Sequence, residues 1–291
     1  MKTRKNTTTG LLFFAAVVAL SSCNSTNNKK ENPLLDSARI VSVNGTTSEI
    51  LSGLGLEEKI VGVDVASTYP ASLQAKPHIG HSRKLSAEGI LALRPTLVVG
   101  AKKDINPELG DLLTASGVKL MLFEQDFSKA GSTQLIHAMA DSLGVSAKGD
   151  SIVQSLETEL KQVNTDKYKD QKRKVLFIYA RGTGTMMVAG EGTPIQQVIE
   201  LAGAENAVKG FADYKPLTAE ALVAANPDVI LLFESGLKSL DGIDGMLKVQ
   251  GVKETNAGKN KKIIEMDGQF LTGFGPRLGK ALQELSAKIY Q

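Results

Sequence analysis

Short, unbroken apolar runs alternate with segments of helical apolar spacing along most of the chain. The runs predict strands, because a strand buried on both faces needs apolar side chains at consecutive positions. Six such runs are 39–43, 59–63, 96–99, 119–123, 175–179 and 228–232. The intervening segments, such as 46–54, predict helices. Strands and helices in alternation are typical of a doubly wound, mostly parallel sheet of the α/β class.

Two segments of the chain, 132 positions apart, are versions of one another. Residues 85–95 read LSAEGILALRP, and residues 217–227 read LTAEALVAANP. Each predicts a short helix that a Ser or Thr can cap and a Pro ends, followed by a buried strand. Both could be ordinary helix–loop–strand units. We interpret them instead as matching parts of two similar lobes, each presenting a carboxylate, Glu88 or Glu220, at the same place.

The segment between the lobes predicts a connection that limits their motion. Residues 147–168 have helical apolar spacing and contain no Pro, so we expect one long helix there. The predicted organisation is a first α/β lobe over 38–146, a joining helix over 147–170 and a second α/β lobe over 171–291. The fold class is therefore α/β, with two Rossmann-like lobes joined by a single long helix and a ligand cleft between them.

The first residues of the chain predict a lipoprotein signal peptide over 1–22. A basic start is followed by the apolar run 11–20, which is too short to span a bilayer, and then by Leu-Ser-Ser before Cys23. This ending resembles a bacterial lipobox, in which the cysteine carries the lipid. The alternative is an ordinary secretory signal with a chance cysteine. Residues 23–37 predict a flexible tether, so we expect an extracytoplasmic protein held to the membrane by a lipid anchor alone, on the periplasmic side or elsewhere in the cell envelope.

The charge balance excludes one class of partner. The chain has 34 Lys and Arg against 31 Asp and Glu, and removing the three bases of the signal peptide leaves 31 of each. A neutral mature chain without Trp and with few aromatic residues does not predict nucleic-acid binding. Cys23 is the only cysteine, so the fold contains no internal disulfide.

Candidate chemistry lies in the loops that follow predicted strands, where open α/β sheets bind ligands. Tyr179 and Arg181 are two apart at the end of an extended run and can face the same side. A neighbouring Arg favours the phenolate, which is a ligand for ferric iron. The alternative is a strand-end aromatic packed on its neighbour. His81 lies in a loop, and neutral imidazole is also a good iron ligand.

Other site classes have weaker support. A zinc site would need more ligands than His81 and the nearby His78 supply, and His137 lies on a predicted helix elsewhere. The chain has neither a phosphate-binding glycine loop nor a serine in a nucleophile elbow. We therefore expect a binding protein and not an enzyme.

Four motifs resemble those of a known family, the haem-binding substrate-binding lipoproteins of bacterial ABC importers. This family is a branch of the receptors that also carry cobalamin and ferric siderophores. The motifs are 39–50, 67–71 with 80–89, 186–194 and 266–277. The resemblance implies a receptor that captures haem as a transported ligand and delivers it to an ABC importer of permease and ATPase subunits. A receptor for cobalamin or a ferric siderophore is the alternative.

The resemblance also implies a set of iron ligands. Members of the family often have Gly-Tyr-Met-Arg where this chain has residues 80–83, and other members pair a first-lobe histidine with a second-lobe Tyr-x-Arg. The implied axial ligands are His81 and Tyr179, with Arg181 holding the tyrosine as phenolate. Tyr69, in the same loop as His81, is an alternative ligand.

Further roles follow from the same resemblance. Arg83, Arg277 and the amides near Thr46 are implied partners for the haem propionates, since a helix N-terminus suits an anion. Glu88 and Glu220 are implied docking residues that meet arginines on the permease. The alternative is that both glutamates are solvated helix charges.

Overall fold

The computed structural model describes residues 1–3, 33–81 and 84–291 and consists of short strands and helices in alternation. The strands are β1 (Ile40–Ser42), β2 (Ile60–Val63), β3 (Gly80–His81), β4 (Lys84–Leu85), β5 (Leu97–Ala101), β6 (Lys119–Phe123), β7 (Lys174–Ala180), β8 (Met186–Ala189), β9 (Glu205–Asn206), β10 (Tyr214–Pro216), β11 (Val229–Phe233) and β12 (Ile263–Met266). The helices are α1 (Pro33–Asp36), α2 (Gly45–Gly53), α3 (Ala87–Ala92), α4 (Pro107–Ala115), α5 (Lys129–Ser142), α6 (Ser146–Lys161), α7 (Pro194–Leu201), α8 (Ala219–Ala225), α9 (Glu234–Lys238), α10 (Gly242–Met246), α11 (Asn256–Lys259), α12 (Gly268–Thr272) and α13 (Leu278–Tyr290).

The first lobe is built on a parallel sheet of four strands in the order β2-β1-β5-β6. Every residue of β5 is buried, as the continuous apolar run predicts. Side chains of α2 and α5 pack on one face of the sheet, and those of α3 and α4 pack on the other. The prediction of a doubly wound sheet is confirmed for this lobe.

The second lobe repeats this plan with an antiparallel addition. Its main path of strands is β10-β8-β7-β11-β12, in which β7, β11 and β12 run parallel while β8 and β10 run antiparallel to their neighbours. The helices α7 and α13 pack on one face, and α8 to α11 pack on the other. The two-lobed α/β fold is therefore as predicted.

The internal repeat has the same structure in both lobes. The Ser86 side chain accepts a hydrogen bond from the Gly89 N–H at the start of α3, and Thr218 accepts one from the Ala221 N–H at the start of α8. The strands that follow, β5 and β11, each lie inside their own sheet. The prediction of matching units in two lobes is confirmed.

The joining helix is shorter than predicted. The sequence predicts a helix over 147–168, whereas α6 ends at Lys161 and only a 3-10 turn forms at Asp166–Tyr168. Val163, Asn164 and Thr165 intervene, and β-branched residues and Asn disfavour the helical conformation. The helix packs against both α5 and α13, and the apolar cluster around it is continuous between the lobes. The predicted residue limits of the lobes stay predictions.

The signal peptide, Cys23 and most of the tether predicted over 23–37 lie outside the described residues. Across residues 1–3, 33–81 and 84–291, no helix has both the length and the apolar character needed to cross a membrane.

Candidate functional site

Tyr179 lies near the carboxyl end of β7 and is half-buried. The edge of its ring meets the ring of Phe233, with the centroids 6.3 Å apart and an interplanar angle of 84°. The guanidinium carbon of Arg181 lies 5.7 Å from the centroid of the Tyr179 ring. The structure thus brings the predicted Tyr-x-Arg pair together at the carboxyl ends of the parallel strands of the second sheet, the edge at which open α/β sheets bind ligands.

His81 lies on β3, which forms a two-stranded antiparallel hairpin with β4. Its side chain is exposed, and the preceding Ile79 is buried in the core of the first lobe. Gly80 has a φ of +105°, and a Cβ atom there would lie 2.9 Å from the Lys84 carbonyl oxygen, so the hairpin requires glycine at this position. Ser82 and Arg83 lie outside the described residues, and the predicted propionate role of Arg83 with them.

Asp64 is a buried carboxylate beside this loop that the sequence reading did not identify. It directly follows β2 and accepts hydrogen bonds from the Ser67 hydroxyl (2.5 Å) and the Ala66 N–H (3.1 Å). Burial raises the pKa of the Asp64 carboxyl, the two hydrogen bonds oppose that rise, and the charge of His81 also opposes it weakly. His81 therefore lies within electrostatic reach of Asp64. A carboxylate directly after a buried strand was the signal for this site in the sequence.

A chain of buried hydroxyl groups continues from Asp64 into the first lobe. The Ser67 hydroxyl lies 2.7 Å from that of Ser48, which donates to Ser42 at 2.8 Å. The Ser42 hydroxyl lies 2.9 Å from that of Thr47. These hydroxyl groups satisfy one another in a place where an unpaired polar group would be costly, so they hold the start of α2 against the end of β2.

Tyr69 is exposed at the surface and stacks on Arg277 of the second lobe. The Arg277 guanidinium carbon lies 3.6 Å from the Tyr69 ring centroid and 4.9 Å from that of Phe270. The contact joins the loop that carries His81 to the segment that begins α13.

Arg277 also forms the most buried ion pair among the described residues. Its Nε and Nη2 atoms donate to the two carboxylate oxygens of Glu49 at 2.9 and 2.8 Å. Burial raises the pKa of Glu49, and the hydrogen bond and charge of Arg277 oppose the rise. Two of the N–H groups that were predicted to meet a propionate thus already have a partner within the protein.

Thr46 lies at the start of α2, and its polar groups are occupied as well. Its N–H donates to the Asn44 side-chain oxygen at 2.9 Å, and its hydroxyl donates to the Gly273 carbonyl oxygen at 2.6 Å. Asn44 in turn donates to Asp104 at 2.8 Å. The first amides of α2 therefore bond to the Asn44 cap, in the place where a propionate was predicted.

Gln269, on α12, bonds residues of the first lobe, and the sequence analysis did not identify it. Its Oε1 accepts from the Thr68 N–H (2.9 Å), the Thr68 hydroxyl (3.1 Å) and the Tyr69 N–H (3.3 Å). Its Nε2 donates to the Gly45 carbonyl oxygen (2.7 Å) and to Glu49 (3.2 Å). The only signal in the sequence was its place in the motif 266–277.

The glutamates predicted to dock the permease occupy matching places. Glu88 is the second residue of α3, Glu220 is the second residue of α8, and both side chains are exposed. His78 is also exposed, and His137 faces Asp150, with 3.4 Å between Nδ1 and the carboxylate. In the part of the chain that the structure describes, no three His, Cys, Asp or Glu side chains are grouped to hold a metal ion.

Solved structures similar to this chain are haem-binding proteins. The periplasmic heme-binding protein RhuT from Roseiflexus sp. RS-1 is 40% identical, with a TM-score of 0.83 over 87% of this chain and 98% of that one. The heme binding protein HmuT is 33% identical, with a TM-score of 0.79 over 88% of this chain and 85% of that one. Variants of HmuT with alanine in place of a histidine, a tyrosine and the arginine two positions after the tyrosine have also been solved.

Two further relatives have lower sequence identity to this chain. An uncharacterized ABC transporter substrate-binding lipoprotein of Bacillus subtilis, YvrC, is 26% identical over 87% of this chain and 80% of its own length. The vitamin B12-binding protein of Yersinia pestis is 27% identical over 88% of each. The family model for periplasmic binding proteins matches residues 40–270. The chain belongs to the periplasmic binding protein family.

Proposed function

We propose that this protein binds haem outside the cytoplasm and delivers it to the permease of an ABC importer. The observation that carries the proposal is the half-buried Tyr179 with the exposed Arg181 beside its ring, at the carboxyl edge of the second sheet in a fold shared with haem-binding proteins. An ionised phenol is a ligand for ferric iron, and a nearby guanidinium favours that ionised form. The task is binding and release, which needs no catalytic group.

The HmuT variants support this choice of residues. The histidine and the tyrosine replaced in them are 99 positions apart, and His81 and Tyr179 are 98 positions apart. The replaced arginine follows the tyrosine by two, as Arg181 follows Tyr179. We therefore assign His81 and Tyr179 as the axial ligands, with Arg181 beside the phenolate. Tyr69 remains the alternative to His81, because it lies in the same loop.

The propionate partners are inferred from the N–H donors that are not already bonded within the protein. Arg277 uses its Nε–H and one Nη2–H for Glu49, so the donors that remain for a propionate are the two N–H groups of Nη1 and the second N–H of Nη2. The Thr46 N–H is already directed at Asn44. Arg83, two positions after His81 in the chain, is the preferred propionate partner. Arg277 and Thr46 have fewer donors left for a propionate and contribute less to binding it.

Delivery to an importer rests on the paired glutamates and on the lipid anchor. Glu88 and Glu220 are exposed in the first turns of matching helices, so that each lobe offers one carboxylate to the permease. Cys23 carries the lipid that keeps the receptor at the membrane. Reversing both charges, with Glu88→Lys and Glu220→Lys, is expected to abolish haem uptake by cells and to leave haem binding by the purified protein unchanged. Unchanged uptake would exclude this docking mode.

Haem binding is tested by titrating the purified protein with hemin and recording the Soret and charge-transfer bands. We expect saturable binding in the wild type, and a spectrum like that of free hemin in the His81→Ala, Tyr179→Ala double variant. Single variants of His81 and Tyr69 identify the first-lobe ligand. Tyr168→Phe, on the 3-10 turn after α6, is the matched control and should bind as the wild type does. A wild-type spectrum from the double variant would refute the ligand assignment.

The second candidate ligand is cobalamin, which the similarity to the vitamin B12-binding protein favours. Competition separates the two. Excess cyanocobalamin or a ferric siderophore should leave the Soret band of the hemin complex unchanged. Displacement of hemin by either competitor, at comparable concentration, would favour the alternative.

A further inference from the structure

One short segment of the second lobe makes a dense set of bonds to the first lobe. We call residues 269–277, which follow β12, the clasp. Within it, Gln269 accepts three hydrogen bonds from Thr68 and Tyr69 and donates two, to the Gly45 carbonyl oxygen and to Glu49. One amide side chain thus joins α12 to the start of α2 and to the loop that leads to His81.

The next contacts of the clasp fix its backbone. The Gly273 carbonyl oxygen accepts from the Thr46 hydroxyl (2.6 Å) and from Gln125 Nε2 (3.1 Å). A Cβ atom on Gly273 would lie 2.6 Å from the Gln269 carbonyl oxygen, so the bend admits only glycine without a shift of the backbone. Both donors belong to the first lobe, and the bond therefore crosses between lobes.

Phe274 supplies the apolar part of the clasp. Its side chain is fully buried, and its ring meets Phe127 of the first lobe edge-on, with the centroids 5.4 Å apart. Phe274 has a φ of +50°, a left-handed conformation that a bulky side chain adopts only when its surroundings enforce it. The strained backbone indicates that the position of this ring is determined by the contacts between lobes.

Gln269 also follows a residue that approaches the aromatic neighbour of Tyr179. The Tyr179 ring packs on Phe233, and a Cβ atom placed on Gly268 would lie 3.5 Å from the Phe233 ring. The residue after Gly268 is Gln269, which bonds Thr68 and Tyr69 at the start of the loop that ends in His81. The start of α12 therefore lies near the Phe233 ring on which Tyr179 packs, while the Gln269 side chain bonds the start of that loop.

We propose that Gln269 is a positioning residue, which fixes the His81 loop at a set distance from Tyr179 and so prepares the cleft for haem. The proposal rests on haem binding as the function of the cleft. Backbone hydrogen bonds from Val63 and Val65 hold residues 77–80 of the loop to the end of β2, which fixes the loop to the first lobe, and the bonds of Gln269 to Thr68 and Tyr69 fix its start to the second lobe. Removing the amide leaves the Thr68 and Tyr69 N–H groups without their acceptor and the Gly45 carbonyl oxygen without its donor.

The first test measures the distance between the lobes without haem. The full-length chain with Cys23→Ser carries spin labels at Leu112→Cys on α4 and Val223→Cys on α8, two exposed positions away from the cleft. Gln269→Met keeps the length of the side chain and removes its hydrogen bonds. Pulsed electron paramagnetic resonance should give one narrow distance distribution in the parent and a distribution at least about twice as wide in Gln269→Met.

Gln283→Met is the matched control. Gln283 lies on α13, and its amide donates to the Glu159 carbonyl oxygen of α6 at 2.8 Å, so the control also loses a bond between elements distant in sequence. It touches neither the clasp nor the His81 loop, and the distribution should stay narrow. Equal broadening in both variants would show a general loss of packing and overturn the assignment to Gln269.

The second test measures haem binding by the unlabelled variants. Gln269→Met should raise the Kd for hemin about tenfold, which corresponds to about 1.4 kcal/mol, and should change the charge-transfer band, while Gln283→Met changes neither. A wild-type distance distribution and a wild-type hemin spectrum in Gln269→Met would overturn the proposal. If the wild type itself binds no hemin, the proposed function has failed, and the distance distribution alone then decides whether the clasp fixes the lobes.

A second variant keeps the proposal testable if Gln269→Met does not fold. Thr68→Val removes one donor to Gln269 Oε1 and keeps the Thr68 N–H bond. It should broaden the distance distribution and weaken hemin binding in the same direction as Gln269→Met, by a smaller amount. An unchanged Thr68→Val protein beside a misfolded Gln269→Met protein would contradict the positioning role.

Discussion

The two candidate iron ligands are held in different ways. Tyr179 lies on β7, an inner strand hydrogen-bonded to β8 and β11, and the strand residues before it are buried from Val175 onward. His81 lies on a strand of two residues that pairs with β4, and the residues just before it bond through their backbone to Val63 and Val65 at the end of the edge strand β2. An inner strand with neighbours on both sides therefore fixes the position of Tyr179, whereas His81 follows a short extension of an edge strand and depends in addition on side chains from other parts of the chain.

This difference separates stability from binding in the two lobes. A backbone ladder survives the loss of a single side chain, so substitutions around β7 should lower stability and leave the cleft in place. Apart from its backbone bonds to the end of β2, the His81 loop is held by the side chain of Ile79, the Asp64 network and the clasp. Substitutions there should alter haem binding even where the cost in stability is the same.

The largest expected effect comes from matched truncations on the two sides. Ile178→Ala, on the face of β7 opposite to Tyr179, and Ile79→Ala, just before the hairpin, each remove a buried side chain. Each should lower the free energy of unfolding by about 2–5 kcal/mol in urea titrations. Only Ile79→Ala should raise the hemin Kd, by at least about fivefold, or about 1 kcal/mol. Equal effects on hemin binding would remove the distinction between the ligands.

The next effect concerns the ion pair that anchors the clasp. Arg277→Met leaves Glu49 buried without its partner, and losing one member of a buried pair should cost about 3 kcal/mol of unfolding free energy. The Glu49→Met, Arg277→Met double variant should regain most of the loss, because it buries no unpaired charge. Lys102→Met breaks an exposed pair with Glu124 and should cost less than about 1 kcal/mol. A double variant as unstable as Arg277→Met would assign the cost to packing and not to charge.

A smaller effect follows from the raised pKa of Asp64. In the folded protein Asp64 holds its proton to higher pH than its ordinary pKa of 3.8, so its contribution to stability is present below that pH and is lost as the pH rises through the folded pKa. The unfolding free energy of the wild type should therefore fall relative to that of Asp64→Asn, at no more than about 1.4 kcal/mol per pH unit. Urea unfolding between about pH 3 and pH 8 measures this difference.

The control for this prediction has the opposite sign. The exposed Asp166 has a lowered pKa, because Lys169 bonds its carboxylate. Relative to Asp166→Asn, the wild type should gain a little stability as the pH rises through the same range. If the unfolding free energy of the wild type rose with pH relative to both Asn variants, burial would not be the dominant influence on the pKa of Asp64.

Local sequence pattern predicted the sheets well. The runs before Gly100 and before Phe233 are apolar at consecutive positions, and both are buried inner strands. The helix caps at Ser86 and Thr218 were also predicted from neighbouring residues in the chain. The predicted end of the joining helix was wrong. Apolar spacing continues to Tyr168, but α6 ends at Lys161, before Val163, Asn164 and Thr165.

The support of the cleft could not be predicted in the same way. Gln269 and Thr68 are 201 positions apart, and neither residue type is unusual where it stands. Which polar groups meet across such a separation depends on how the lobes pack. Each strand of the β3–β4 hairpin has two residues, which is too short for an alternation of apolar and polar positions to be recognised. The sequence therefore did not predict this hairpin. The strand-borne Tyr179 was thus easier to place than His81.

The smallest effect compares the lobes where they are most alike. Ser86→Ala and Thr218→Ala each remove the hydroxyl that accepts a 3.1 Å hydrogen bond from the third residue of a helix, α3 or α8. Loss of such a cap costs about 1 kcal/mol, so urea titrations should show two similar decreases in the free energy of unfolding. Because the two helices carry the glutamates and not the iron ligands, hemin binding should stay unchanged in both variants. A change in hemin binding in Ser86→Ala alone would mean that α3, which begins two residues after the hairpin, also helps to hold His81. The position of the first-lobe ligand would then depend on α3 as well as on the clasp.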